Sequence, residues 1–261
     1  MKRSLGQHFL NDEIIADRIV GAADIKKGDT VIEIGPGAGA LTKWIYMSSV
    51  TRGILIELDV NLAPKLKDKF PKFEVMNENI CGVDIAKLKN RADEKFIVIG
   101  NLPYNMSSKI LEHLVRYKDV ISKMVLMFQK EVGDKICAKA GDSDYSRLSL
   151  LALEFYDVEK VLDVEPKYFS PRPDVDSSVL LFNLRKQPIV EIKNREIYNR
   201  IVQQMFSNRR KMIRRSLKAL YPDDILQKVF AASKIDPQKR PQELTIQEFA
   251  LLADLIMPKG Y

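Results

Sequence analysis

Thr30-Val31-Ile32-Glu33-Ile34 runs straight into Gly35-Pro36-Gly37-Ala38-Gly39, and a helical pattern takes over from Ala40 through Trp44. This junction constrains the fold more than any other stretch. An apolar strand, a glycine loop and a helix in that order open a nucleotide-binding crossover, where missing side chains let backbone N–H groups approach a ligand. The spacing is G-x-G-x-G rather than the G-x-G-x-x-G that makes room for a pyrophosphate at a helix N-terminus, which disfavours a dinucleotide. The next apolar run, Gly53-Ile54-Leu55-Ile56, ends in Glu57-Leu58-Asp59, with Glu57 22 residues beyond Gly35. A carboxylate at the end of the second strand is positioned to accept hydrogen bonds from both ribose hydroxyls, so the two features together point to an adenosine-type ligand.

Two further apolar runs end in polar groups. Phe73-Glu74-Val75-Met76 leads to Asn77-Glu78-Asn79-Ile80, and Phe96-Ile97-Val98-Ile99 leads to Gly100-Asn101-Leu102-Pro103-Tyr104. In an open parallel sheet ligands bind outside the carboxyl ends of the strands, so four polar strand ends imply one crevice in an α/β fold. Asn-Leu-Pro-Tyr offers a hydrogen-bonding amide, a fixed carbonyl and a flat stacking surface, which suits a planar, amino-bearing ligand. A tight turn with Asn101 capping the next helix is the alternative reading. Lys123 to Phe128 reads as a fifth strand and Val158 to Val164 as another. The loop from Tyr168 to Ser178 is stiffened by Pro171 and Pro173, and Val179-Leu180-Leu181-Phe182 after it reads as an antiparallel partner strand. Phe169 in that loop is either a wall for an aromatic ligand or a core anchor.

Charge divides the chain. Residues 1–185 carry 27 Lys plus Arg against 27 Asp plus Glu, whereas residues 186–261 carry 15 against 8, so the whole net charge of +7 lies in the last 76 residues. A neutral body at 1–185 with a cationic appendage at 186–261 suits a polyanion, nucleic acid first. Beyond Pro188 the pattern is wholly helical. After Ile197, Phe206, Ile213, Leu217 and Leu220 fall on one stripe, with Arg210, Arg214 and Lys218 in a second row at i, i+4 spacing and Lys211 and Arg215 beside it. At the other end, a basic and apolar arm, Lys2 to Leu10, precedes a helix that Asn11-Asp12 would cap, with Ile14, Ile15, Ile19 and Val20 at helical spacing. The 46% hydrophobic and 30% charged content is that of a globular protein. No apolar run approaches the roughly 18 to 20 residues of a membrane span, and the N-terminus lacks the core of a signal peptide, so a cytoplasmic protein is expected. Cys81, Cys137, His8 and His113 form no spaced cluster, so neither a metal site nor a disulfide is expected.

With these motifs in view, the chain resembles the small-subunit ribosomal RNA adenine dimethyltransferases of the KsgA type. The resemblance rests on Leu5-Gly6-Gln7-His8-Phe9-Leu10, Glu33-Ile34-Gly35-Pro36-Gly37, Glu57-Leu58-Asp59 and Asn101-Leu102-Pro103-Tyr104. It continues through Gln129-Lys130-Glu131-Val132, Phe169-Ser170-Pro171-Arg172-Pro173, the stretch from Phe206 to Lys211, and Arg240-Pro241-Gln242-Glu243. It implies a Rossmann-like S-adenosylmethionine-dependent methyltransferase domain with a small all-helical C-terminal domain. It also implies cofactor contacts from His8, Leu10, Gly35, Glu57, Asn79 and Asn101, and twofold methylation of N6 on two adjacent adenosines. The family usually has Asp where this chain has Asn79, so somewhat weaker cofactor binding is expected. Asn101 with the Leu102 or Pro103 carbonyl would accept the N6 hydrogens, and Tyr104 and Phe169 would sandwich the flipped-out base. Arg209, Arg210, Lys211, Arg214, Arg215 and Lys218 are the candidate RNA contacts, with a small-subunit precursor particle as partner and a monomeric enzyme. A large-subunit methyltransferase of the erythromycin-resistance type and a non-catalytic assembly or transcription factor on the same fold are the alternatives.

Overall fold

The protein is represented by a computed structural model, described over residues 8–256; Lys2 to Gln7 of the expected arm lie outside the described residues. In chain order the strands are β1 (Phe9–Leu10), β2 (Thr30–Ile34), β3 (Arg52–Ile56), β4 (Glu74–Met76), β5 (Phe96–Asn101), β6 (Ile121–Gln129), β7 (Tyr156–Val164), β8 (Phe169–Ser170) and β9 (Ser177–Leu184). The helices are α1 (Glu13–Ala22), α2 (Ala40–Met47), α3 (Ala63–Lys69), α4 (Ser107–Val115), α5 (Lys130–Cys137), α6 (Arg147–Leu153), α7 (Arg195–Ser207), α8 (Ile213–Leu217), α9 (Asp223–Ser233) and α10 (Ile246–Ile256). None of the helices described is long and apolar enough to cross a membrane.

The apolar runs become one seven-stranded sheet in the order β4-β3-β2-β5-β6-β9-β7. Strands β4 to β6 pair in parallel, and β9 joins antiparallel between β6 and β7. Parallel strands bury both faces under helices, and β2 is accordingly buried at every position. At the far edge β7 carries Asp157, Glu159, Lys160 and Asp163 at exposed positions, charge that discourages pairing with another chain. Helix α1 starts where Asp12 accepts the Ile15 N–H at 2.9 Å, and it buries Ile15, Ala16, Ile19 and Val20.

The chain forms two units. The first runs through Asp134 and resumes over Tyr156–Leu184; the second comprises Lys135–Phe155 and everything from Arg185 onward. A single cut at 185 is therefore corrected. Ala138, Tyr145 and Leu150 belong to the second unit's core with Tyr198, Met205, Ile213, Leu217 and Phe249. Glu154, 3% exposed, is held there by both terminal guanidinium nitrogens of Arg195.

The expected helix row in the C-terminal region is also corrected. Helix α7 ends at Ser207 and α8 begins at Ile213, because the Ile213 and Arg214 N–H groups donate to the carbonyls of Lys239 and Pro237 rather than to carbonyls one turn back. Ile213 and Leu217 are buried as expected, on a different helix from Phe206.

Candidate active site

Four parallel strands stop along one edge of the sheet, and the backbone stitches their ends together. The Gly35 N–H donates to the Ile56 carbonyl at 2.9 Å, the Glu57 N–H to Met76 at 3.0 Å, and the Asn77 side chain to the Glu57 carbonyl at 2.8 Å. The cavity they enclose has a volume of about 320 Å³. Its lining includes His8, Leu10, Gly35, Glu57, Asn79, Asn101, Leu102, Pro103 and Tyr104, so nine of the residues singled out from sequence meet in one place.

The glycine loop takes a shape that side chains resist. Gly37 sits at φ +58°, and a Cβ there would lie 2.8 Å from the ring of Phe9. Its N–H donates to Glu57 Oε2 at 2.9 Å, while Glu57 Oε1 accepts the Asp59 N–H at 2.8 Å. The carboxylate of Glu57, 2% exposed, is thus aimed by the loop and by its own strand end, with lone pairs remaining on both oxygens. Asn79 caps the turn Ile80–Gly82, its Oδ1 accepting the Cys81 N–H at 3.0 Å.

The β5 end carries the amide and the ring. Asn101 donates through Nδ2 to the His8 carbonyl at 2.9 Å. The Pro103 carbonyl accepts the Met106 N–H at 2.9 Å, whereas the Leu102 carbonyl takes no hydrogen bond from the described residues. Tyr104 shares a 2.6 Å hydrogen bond with the Ser177 hydroxyl, and burial holds its phenol above the ordinary range against the pull of that bond. The ring facing it is His8, with centroids 5.2 Å apart and planes at 26°. Phe169 is not brought to the cavity. It is 4% exposed, paired with Leu10 across β1 and β8, and packed in the first unit's core.

One residue that sequence reasoning passed over stands on the cavity wall. Glu33 is 1% exposed and lines the cavity, and its Oε2 has no partner among the described residues. Burial pushes its carboxyl up to about 8; Thr42 opposes the shift and the nearby Glu57 charge adds to it. The signal was available, since it is the one charged residue in a strand otherwise fit for burial on both faces.

In the second unit the six candidate cations divide. Arg209 donates to the Ser143 carbonyl, and Arg214 and Lys218 converge on Asp223, Arg214 at 3.0 Å and Lys218 at 3.2 Å. Arg210, Lys211 and Arg215 are exposed, and their side chains take no hydrogen-bond or ion-pair partner among the described residues.

Comparisons with known proteins agree in direction. A family model described as ribosomal RNA adenine dimethylase matches residues 1–257. Ribosomal RNA small subunit methyltransferase A of Syntrophotalea carbinolica is 38% identical over 98% of this chain and 97% of its own length. The protein of the same name from Laribacter hongkongensis is 37% identical over 99% and 97%. Among solved structures, a dimethyladenosine transferase from Plasmodium falciparum superposes with a TM-score of 0.80 at 26% identity, covering 94% of this chain and 96% of that one. The 23S rRNA methyltransferase ErmE shares the fold, with a TM-score of 0.70 at 24% identity over 95% and 99%.

Proposed function

The chain belongs to the ribosomal RNA adenine dimethylase family, and from that premise we propose how its strand-end cavity performs the reaction. The enzyme transfers methyl groups from S-adenosylmethionine to N6 of adenine in small-subunit ribosomal RNA. The cavity residues fit that cofactor. Glu57 presents carboxylate lone pairs for ribose hydroxyls, and the loop around Gly35 and Gly37 leaves backbone exposed to a ligand. Glu33 holds an unpartnered oxygen where a cation would be welcome. His8, Leu10, Asn79 and Asn101 complete the set that would hold it. When bound, S-adenosylmethionine supplies an electrophilic methyl group on a sulfonium that leaves as a neutral thioether.

The N6 nitrogen of adenine is a poor nucleophile because its lone pair is delocalised into the ring. Asn101 Oδ1 and the free Leu102 carbonyl accept its two hydrogens, which favours a tetrahedral nitrogen with its lone pair directed at the methyl group. Pro103 is the weaker candidate, because its carbonyl is already engaged by Met106. Tyr104, fixed by Ser177 and backed by His8, gives the flipped-out base a stacking face worth about 1 to 3 kcal/mol. With Phe169 committed to the core, the base has one aromatic wall here rather than two. After the first transfer one N6 hydrogen remains, and a single acceptor then holds it, so the same site serves the second methylation. The proton leaves to solvent.

Arg210, Lys211 and Arg215 are the cations free to meet phosphate; Arg209, Arg214 and Lys218 act beside them at the cost of their present partners. We further assign two adjacent adenosines of a small-subunit precursor particle as the substrate, with the enzyme acting as a cytoplasmic monomer. The observation that carries the reading is that the Asn101 amide, the free Leu102 carbonyl and the Tyr104 ring share a cavity with Glu57 and the glycine loop. Incubating the protein and methyl-labelled cofactor with isolated 30S and 50S particles tests it. Label is expected as N6,N6-dimethyladenine in the 30S RNA. Label confined to 50S overturns the small-subunit assignment, and absence of calorimetric cofactor binding favours a non-catalytic assembly factor.

A further inference from the structure

An amide is two-faced. One side of Asn101 accepts hydrogen bonds and the other donates them, and half a turn about the last side-chain bond exchanges the two. Only the accepting side can take a hydrogen from the reacting amine; the donating side would set N–H against N–H. The reaction therefore needs something to choose the rotamer.

In this structure a single contact makes the choice. Asn101 Nδ2 donates to the His8 carbonyl at 2.9 Å, and a carbonyl can only accept, so the amide cannot reverse without losing that bond. The carbonyl is itself held from several directions. His8 Nδ1 donates to the Pro171 carbonyl at 2.7 Å, which also assigns the ring proton to Nδ1. The imidazole stacks on Tyr104 at 5.2 Å. The next two residues are locked by the antiparallel pairing of Phe9 with Ser170 and of Leu10 with Phe169, and the Phe9 ring lies over Gly37.

We infer that His8 is a positioning residue of the methyl transfer: anchored through its ring to Pro171 and Tyr104, it presents the main-chain carbonyl that turns the Asn101 oxygen toward the reacting amine. This rests on the reading of the cavity as the active site, and adds to it the origin of the amide's orientation.

A carboxylate at position 101 distinguishes this from a simple need for an acceptor. Ionised, it places an oxygen lone pair against the His8 carbonyl and has nothing to donate; protonated, it donates to His8 with one oxygen and accepts from the amine with the other. Asn101→Asp is therefore expected to lower kcat about a hundredfold at pH 8. The variant should then recover by up to about tenfold per unit as pH falls toward the carboxyl's own range. The other titratable groups lining the cavity are His8 just before β1, Glu33 near the end of β2, Glu57 just after β3, Glu78 after β4, and Tyr104 beside Asn101. Protonating the three glutamates removes charge that favours a cationic cofactor, so their effect on the wild type runs the opposite way.

Two variants of His8 provide the second readout. His8→Phe keeps a ring against Tyr104 but loses the bond to Pro171, and is expected to lower kcat at saturating cofactor about tenfold with KM for RNA unchanged. His8→Asn restores a donor in the place of Nδ1 and is expected to recover most of that loss. An Asn101→Asp variant as active as wild type at pH 8, or one whose activity follows the wild-type pH profile, overturns the proposal. So does a His8→Phe variant whose loss lies wholly in KM. Wild-type enzyme that neither binds cofactor nor labels RNA would fail at the earlier step, and the active-site reading would fall together with this one.

Discussion

Glu33 stands in a strand whose neighbours on both sides are buried hydrocarbon, and its carboxyl is held up to about 8. Near pH 7 the group is mostly protonated, whereas a cationic ligand binds best to the ionised form. The fraction ionised grows as pH rises toward 8, so cofactor affinity measured by calorimetry is expected to tighten between pH 6 and 8, by at most about tenfold per unit. Glu33→Gln should flatten that dependence. Stability has the opposite sign. Between the ordinary carboxyl value of 4.5 and about 8 the unfolded chain has released a proton that the folded chain keeps, so the ligand-free protein loses stability as pH climbs through that window. Urea midpoints that do not fall over that window would contradict the assignment. Residue identity made much of this site legible beforehand, since Asn101 to Tyr104, Glu57 and the glycine loop declare themselves by type and spacing. Phe169 did not, because whether an aromatic faces a ligand or the core depends on the partner across β1 and β8.

At the scale of elements, the long apolar runs became strands because burial on both faces demands continuous hydrocarbon. The two-residue strands β1 and β8 exist only through their pairing with each other, 160 residues apart, and no local pattern announces them. The break between α7 and α8 was hidden for a related reason: it is made by carbonyls of Pro237 and Lys239, well downstream of the helix they interrupt. The short strand β1 acts on the glycine loop through Phe9. Gly37→Ala is expected to weaken cofactor binding by more than tenfold, because the new methyl group meets the Phe9 ring and the backbone remains at positive φ. In a Phe9→Ala background the steric part disappears and a cost of about 1 to 2 kcal/mol from the backbone remains. Calorimetry on the four proteins of this cycle should therefore give clear non-additivity; purely additive losses would separate Phe9 from the loop.

The whole molecule concentrates its excess positive charge in residues 186–261, and ion pairing then sorts that charge into engaged and free. Replacing Arg210, Lys211 and Arg215 together with Ala is expected to weaken RNA binding and to make the slope of log affinity against log salt shallower by about 2 to 3. Cofactor affinity should not move. An unchanged slope would relocate the RNA contact. The position of β9 in the sheet carries a consequence for how the chain is made. Residues 177–184 are the last of the first unit to be synthesised, yet they fill the place between β6 and β7. Until they emerge, β6 is an open edge and β7 has no neighbour, and the segment 135–155 of the second unit has already been made. Biosynthesis thus reaches the final strand of the catalytic sheet only after part of the other core is waiting, and completion of the sheet is a late event of translation rather than an early one.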